Sequence, residues 1–273
     1  MTEVRDIPIY FDLLFKKIFA DSSDMEPLKY LLELILNIKI KNIEIISPEV
    51  IGKRYKDKRT YLDLLVKLEG GTKISIEVNT NPKSYVIDRN LFFLFRVMGS
   101  DLDKGESYTE LNKHYQINLN TNIRQKNLIM KYFLANLETK EKLTEKLEII
   151  NIDIAKYGQT WYTLDNPSEL DKLMGLIGTK ENEKLKYFEG EKGMIKKIMK
   201  KADKFRNDKD VVRVYDYDVM RDEREKLAFK EGIKEGINET TLEIAKNMLK
   251  KDIDVNFICE VTGLTINKIN ELK

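Results

Sequence analysis

The sequence predicts a mixed α/β fold of the α+β kind, in which one mixed sheet is flanked by helices and followed by a helical C-terminal extension. Three observations carry this. Apolar residues recur with both the two-residue and the 3.6-residue period over roughly the first 160 positions. Two alternating segments, Tyr61 to Leu68 and Lys73 to Asn79, are joined by Gly70-Gly71, the mark of a hairpin. Beyond Asn166-Pro167-Ser168 the strand period disappears and the chain reads as polar and helical.

The elements follow in order. Helical patterns cover about 10–20 and 25–37, a short strand about 42–47, then the hairpin, then a helix about 84–100. Further strands are expected at Tyr115 to Leu119, Ile129 to Leu134 and Leu147 to Ile152. These make a core domain over 1–165. A helical subdomain over 166–221 opens at the helix-start signal around Ser168. A third region, 222–273, reads as one long helix from Glu225 to Lys251 followed by a compact helical pair. Gly232 and Gly236 lie four residues apart in that helix and cost about 1 kcal/mol each relative to alanine. The cost makes sense if the bare stripe admits a close helix neighbour, including a second copy of the chain. The turn Thr262-Gly263-Leu264-Thr265 resembles that of a helix-turn-helix; target recognition, packing on the long helix and dimerisation are all open to the pair.

Composition excludes more than it assigns. Charged residues are 34% of the chain but balance, 48 basic against 46 acidic, so a net charge of +2 gives no global argument for a nucleic-acid partner. The single cysteine, Cys259, rules out an intrachain disulfide framework and fits a reducing cytoplasm, and its apolar neighbours Phe257 and Ile258 suggest a small core residue. The start, Met1 to Asp6, has no secretory pattern. No apolar run approaches bilayer length, since Leu91 to Phe95 is broken at once by Arg96. A soluble, cytoplasmic protein with no membrane partner is expected.

The hairpin carries the chemistry. Leu62, Leu64, Val66 and Leu68 share one face of the first strand, with Ile74, Ile76 and Val78 on the matching face of the second. Asp63 falls on the other face, as do Lys73, Ser75, Glu77 and Asn79. Two carboxylates at one spot of a polar face suggest a divalent-cation site, because magnesium takes one or two carboxylates and keeps several waters. Register decides the matter. A two-residue Gly70-Gly71 turn sets Asp63 against Val78 and sends the carboxylates to different faces, whereas a three-residue loop, Glu69-Gly70-Gly71, sets Asp63 against Glu77. The plain alternative is a hairpin with solvated charges on an open face.

Asp63 followed by Glu77-Val78-Asn79 across a hairpin resembles the active-site signature of the PD-(D/E)XK nuclease superfamily. Asp12-x-x-Phe15-Lys16-x-x-Phe19, Arg89, Gly105-Glu106-Ser107-Tyr108 before the strand at Gln116-Ile117, and the Gly232/Gly236 repeat are similar to the Rpn family of recombination-promoting nucleases, a transposase-related group. The match covers about residues 6 to 120 well and the rest in outline. The resemblance implies a restriction-endonuclease-like sheet and a DNA endonuclease dependent on Mg2+ or Mn2+. Asp63 and Glu77 would be metal ligands and the Val78 carbonyl often a third. Asn79 stands at the last motif position, where the superfamily usually has Lys and the Rpn family commonly Gln. It can orient a water or a phosphate, but it is shorter than Gln and uncharged. A second class of function therefore stands beside the first: a catalytically weakened DNA-binding or oligomerisation module that keeps the nuclease fold.

The remaining candidates are cationic. Lys16 can contact phosphate or simply pair with Asp12 at i,i+4. Arg89 can neutralise a phosphate or pair with Asp88 or another carboxylate, and Tyr85 is equally ambiguous. Between Lys192 and Arg206, Ile195, Ile198, Ala202 and Phe205 form one stripe amid lysines. That segment reads either as an amphipathic helix with a solvated cationic face or as a phosphate-contacting flank through Lys196, Lys197 and Lys200. His114, the only histidine, sits at a strand start and is given no role in the chemistry.

Overall fold

A computed structural model describes residues 6–46, 49–50, 60–61, 63–80 and 84–272. Leu62, the side chain of Tyr61 and the segment Met1 to Arg5 lie outside the described residues. The chain forms two compact units, Met1–Arg213 and Val214–Lys273. In order the elements are α1 (Asp12–Phe19), α2 (Glu26–Leu36), β1 (Ile43–Ile46), β2 (Glu49–Val50), β3 (Thr60–Tyr61), β4 (Leu64–Leu68), β5 (Lys73–Asn79), α3 (Val86–Gly99), β6 (His114–Asn120), β7 (Ile129–Tyr132), β8 (Leu147–Asp153), α4 (Ile154–Thr160), α5 (Glu169–Gly178), α6 (Asn182–Leu185), α7 (Gly193–Arg206), α8 (Lys209–Leu249), α9 (Val255–Thr262) and α10 (Ile266–Asn270).

The first unit is built on a six-stranded sheet of order β1-β4-β5-β6-β8-β7, with β2 and β3 as a separate pair. β1 pairs with β4 and β4 with β5 antiparallel, β5, β6 and β8 are mutually parallel, and β7 returns antiparallel at the edge. The sheet is therefore mixed and helix-flanked, as the alternation of periods predicts.

One face is packed by apolar contacts. Leu64, Val66, Ile74, Ile76, Ile117, Leu119, Ile150 and Ile152 are buried on it. Helix α1 contributes Leu14, Phe15, Ile18 and Phe19, all buried, with the Phe15 and Phe19 rings 4.6 Å apart between centroids. Fully burying such a side chain stabilises by about 1.5–3 kcal/mol. α5 starts where the sequence signals it: Ser168 caps the helix and exchanges hydrogen bonds with Asp171 in a capping box. α4 and α5 meet backbone to backbone, since a Cβ built at Gly178 would lie 1.8 Å from the Ile154 carbonyl oxygen.

The other face departs from expectation. The polar side of β5 is not open to water but covered by α3. Ser75, Glu77 and Asn79 are all buried. Leu65 packs against Val97 of α3, with Ile46 and Phe93 around them. The polar residues are tolerated there because α3 brings partners with it: Asn90 Nδ2 donates to Asn118 Oδ1 at 3.0 Å, on the strand next to Glu77.

At the far end of the same strands Lys73 and His114 converge on Asp101, whose side chain is fully buried; His114 Nε2 lies 2.8 Å from Asp101 Oδ2. Burial holds the His114 imidazole below its usual pKa in spite of Asp101. This histidine ties the strand starts to the segment after α3 and stands at the other end of β5 and β6 from Glu77 and Asn79.

Helix α8 begins at Lys209, at the end of the first unit and well before the helix start expected at Glu225, and supplies most of the second unit. A core of Ala245, Ile258 and Ile269 forms where α9 and α10 pack on the end of α8, with Cys259 partly buried against it. Gly263 closes α9 in the left-handed conformation at φ 70°. Packing on the long helix is thus the arrangement adopted by the terminal pair. A Cβ built at Gly232 or Gly236 would meet open space, so among the described residues no helix of the same chain occupies that stripe.

Candidate active site

The hairpin loop decides where the carboxylates go. β4 and β5 pair with Leu64 against Ile76 and Val66 against Ile74. The Leu68 amide donates to the Thr72 carbonyl, which leaves Glu69, Gly70 and Gly71 as the loop. Both glycines have φ +89°, a conformation that residues with a Cβ rarely adopt. Of the two registers open to the sequence, the odd loop is the one formed. Continuing the pairing by one step sets Asp63 against Glu77.

The contacts agree. The Asp63 amide donates to Glu77 Oε1 at 3.4 Å, and the Val78 amide donates to Asp63 Oδ2 at 2.7 Å. The backbone oxygen of Asn79 accepts from the Thr121 amide, so Asn79 faces β6. By strand alternation the N–H and carbonyl of Val78 both face the β4 side, where Asp63 stands. Two carboxylates and one carbonyl thus converge at the mouth of the hairpin.

Electrostatics mark the spot as well. Burial, and then the nearby Asp63 charge, push the Glu77 carboxyl up to about 8 from 4.5. Burial and Asp12 raise Asp63, against the pull of the Val78 amide, Lys16 and Arg89. Two cations compensate in part, with Lys16 Nζ 3.7 Å from Asp63 Oδ1 and Arg89 Nη2 3.7 Å from Glu77 Oε2. Lys16 also pairs with Asp12 at 2.8 Å, the i,i+4 contact foreseen for it. Burial opposes its charge, but Asp12 and then Asp63 leave the ammonium above its usual pKa. Arg89 holds Asn79 Oδ1 through its guanidinium and lies over the Phe93 ring, 5.7 Å from the centroid. Its carboxylate partner is Glu77. Asn79 Nδ2 donates to Asn120 Oδ1 at 2.9 Å, so both polar atoms of Asn79 have protein partners.

The donor set suits a hard divalent ion. Magnesium and manganese favour oxygen ligands, and magnesium needs only one or two carboxylates with water completing its shell. Asp63, Glu77 and the Val78 carbonyl are such a set. No group of three His, Cys, Asp or Glu side chains that can hold a metal occurs among the described residues.

A cleft of about 590 Å³ opens beside Asp63, lined by Lys16, Lys17, Ala20 and Phe205 among others. It runs from Asp63 to Phe205 near the end of α7, whose Ile195, Ile198 and Ala202 are buried as the apolar stripe requires. Lys196 and Lys200 are exposed, while Lys197 pairs with Asp24 at 2.7 Å. Tyr85 is exposed at the start of α3.

A family model described as PD-(D/E)XK nuclease family transposase matches residues 9–229. The chain belongs to this family. No curated protein and no solved structure matches it at a significant level. Membership in the PD-(D/E)XK nuclease family of transposases agrees with the Rpn-like motifs and with the restriction-endonuclease-like mixed sheet, and it gives the chain a nuclease- or transposase-related function, with DNA as the substrate class the family implies. The matched span includes Asp63, Glu77 and Asn79 and ends within α8. No helix among the described residues is long and apolar enough to cross a membrane.

Sequence reasoning missed two residues beside the site and one at the far end of its strands. Asn90 and Asn120 were passed over because an asparagine carries no period of its own. Asp101 was missed because only the fold brings it to Lys73 and His114.

Proposed function

We propose that this chain is a DNA endonuclease dependent on Mg2+ or Mn2+, with Asp63, Glu77 and the Val78 carbonyl as its metal ligands. The supporting observation is the odd hairpin loop, which brings Asp63 and Glu77 to one place with the Val78 amide bound to Asp63 at 2.7 Å. When bound, a divalent ion polarises a phosphoryl oxygen and lowers the pKa of its water.

The protein's own residues divide the remaining work. Asp63 and Glu77 supply negative charge in a water-poor pocket, where it acts strongly. Arg89 supplies the positive charge that Asn79 lacks, since its guanidinium lies on Asn79 and 3.7 Å from Glu77. In this reading Asn79 acts by positioning Arg89 toward the scissile phosphate. Lys16 contacts a backbone phosphate in the cleft beside Asp63, and Lys196, Lys197 and Lys200 of α7 contact phosphates farther along the DNA. Such contacts add affinity that is independent of sequence and sensitive to salt.

The test is nicking of supercoiled DNA by purified protein with magnesium or manganese, with and without chelator. Asp63→Ala and Glu77→Ala should each abolish metal-dependent nicking while the protein remains folded. Nicking at wild-type rate by either variant would refute the assignment. One observation favours a second reading, a DNA-binding module with weakened catalysis: both polar atoms of Asn79 are already engaged within the protein. An inert wild type made active by Asn79→Lys would establish that reading. The exposed Phe229, Ile233, Ile237 and Ile244 of α8 are consistent with a homo-oligomer formed through the C-terminal helix. Light scattering of wild type against Ile233→Glu/Ile237→Glu would decide it, a single monomeric mass for both refuting it.

A further inference from the structure

A cavity of about 270 Å³ lies between α3 and the sheet, on the face that bears Glu77 and Asn79. Its floor is made of carboxamides: Gln116, Asn118 and Asn120 on β6, Asn151 on β8 and Asn90 on α3. Its walls are apolar, with Val86, Leu91 and Leu94 from α3. Ile87 and Tyr132, both exposed, stand at its mouth. Small-molecule sites start at about 300 Å³ and combine apolar walls with a few fixed polar groups. The space therefore suits one ring-sized group.

The floor is ordered yet incomplete. Gln116 Nε2 donates to Asn118 Oδ1 at 3.0 Å, and Asn118 Nδ2 donates to Asn151 Oδ1 at 2.7 Å. Asn120 Nδ2 donates to the Asn118 carbonyl at 3.1 Å. Gln116 is only 1% exposed, and its Oε1 has no hydrogen-bond partner among the described residues. Leaving such an acceptor unmatched costs about 1–3 kcal/mol. A small turn of the Gln116 carboxamide toward the cavity it lines would let a ligand N–H satisfy it, and the second hydrogen of Nε2 can then donate to an adjacent ring nitrogen. That donor-acceptor edge is the one a carboxamide uses on adenine, and cytosine offers the same pair.

The location supplies the source. Asn120, which lines the cavity, holds Asn79, and Asn90, which also lines it, directly follows Arg89. We infer that this cavity receives a single unstacked adenine or cytosine of the DNA bound at the Asp63–Glu77 site, held by the Gln116 carboxamide and flanked at the mouth by Tyr132. The inference rests on the nuclease reading only in taking DNA as the source of the base. Extrusion of a base costs a few kcal/mol and least where it is unpaired, so distorted or bulged DNA would be preferred.

The experiment measures binding, so that loss of cleavage does not confuse it. Full-length protein is titrated in calcium buffer against a labelled duplex with one unpaired adenine, and against the same duplex with an abasic residue there. About tenfold tighter binding to the adenine duplex is expected, in line with the discrimination one bidentate contact provides. Gln116→Leu should bring the ratio below about twofold, with affinity for the abasic duplex unchanged. Ile87→Trp, which narrows the mouth from an exposed position, should do the same and guards against a folding defect at Gln116. Equal affinity of wild type for the two duplexes, or none for either, overturns the inference. Thermal stabilisation by free deoxyadenosine without discrimination between the duplexes assigns the cavity to a free nucleoside and overturns it too. Discrimination without nicking in magnesium would refute the endonuclease reading and leave this one standing; nicking without discrimination would do the reverse.

Discussion

Replacing Glu77 with glutamine should make the metal-free protein more stable in alkali, and the size of the gain follows from the site. The Glu77 carboxyl is raised from 4.5 to about 8 by burial and by Asp63. A folded-state pKa above the unfolded one means that folding favours the protonated form. The stability tied to that form is complete below pH 4.5 and disappears as pH rises through about 8. Between pH 5 and 8.5 the loss is on the order of a few kcal/mol, shared between the Glu77 and Asp63 carboxyls, against the roughly 5–15 kcal/mol that holds a domain together. Glutamine keeps the shape and remains neutral, so Glu77→Gln should escape the loss. Urea unfolding of the chelated proteins at both pH values reads it. Wild type and variant should be nearly equal at pH 5 and differ by a few kcal/mol at pH 8.5. Added magnesium should restore wild type at pH 8.5 and do little for the variant, because the ion takes the place of the proton. Parallel pH profiles for the two proteins would refute the buried, mutually repelling pair of carboxylates.

The other predictions concern neighbours of that pair. Arg89→Ala should lower the nicking rate by at least tenfold and Arg89→Lys by less, since the charge at Asn79 is what is lost; equal rates in all three proteins would remove Arg89 from the chemistry. Lys196→Glu/Lys200→Glu should weaken DNA binding at low salt and flatten its salt dependence, measured by anisotropy from 50 to 200 mM salt (about the range over which phosphate contacts show); an unchanged slope would make α7 a solvated face only. Gly178→Ala should destabilise by about 1–3 kcal/mol or more through collision with the Ile154 carbonyl, and a neutral result in thermal melting would contradict the close approach of α4 and α5. Ile258→Ala should cost about 2–5 kcal/mol of local stability, seen as faster hydrogen exchange in α9 and α10 while β5 and β6 keep their protection.

How far the sequence could be read depended on what kind of signal each feature leaves. Asp63, Glu77 and Asn79 were legible because they interrupt a strict two-residue alternation, and the choice of register was legible as a choice, left open by Glu69-Gly70-Gly71 until the pairing was seen. The mixed sheet and its flanking helices follow from the two periods and the glycine turn, but the strand order β1-β4-β5-β6-β8-β7 does not. Cover was not legible: alternation shows that Ser75, Glu77 and Asn79 share a face, but not that α3 lies over it bearing Asn90 and Arg89. Ion pairs between distant segments were hidden for a similar reason. Lys73, Asp101 and His114 carry no mark in common until the fold joins them, and Lys16 gave away Asp12, four residues off, but not Asp63. The early start of α8 at Lys209 was missed because its first turns, Val211-Val212-Arg213-Val214-Tyr215, are rich in β-branched residues that favour helix less than strand.

The three-residue loop has a consequence for how this chain tolerates change. Substitution at Glu69 alters one exposed side chain. Deleting that residue would leave Gly70-Gly71 as a two-residue turn between the same partners, Leu68 and Thr72, so Asp63 would still face Glu77. A deletion or insertion inside either strand acts differently, because it moves every pair beyond it by one and turns those side chains to the other face. Losing one residue between Asp63 and Leu68 would turn the Asp63 carboxylate toward the apolar layer and part it from Glu77. In natural variants, length differences should therefore gather at Glu69 to Gly71 and be absent between Asp63 and Leu68 and between Lys73 and Glu77.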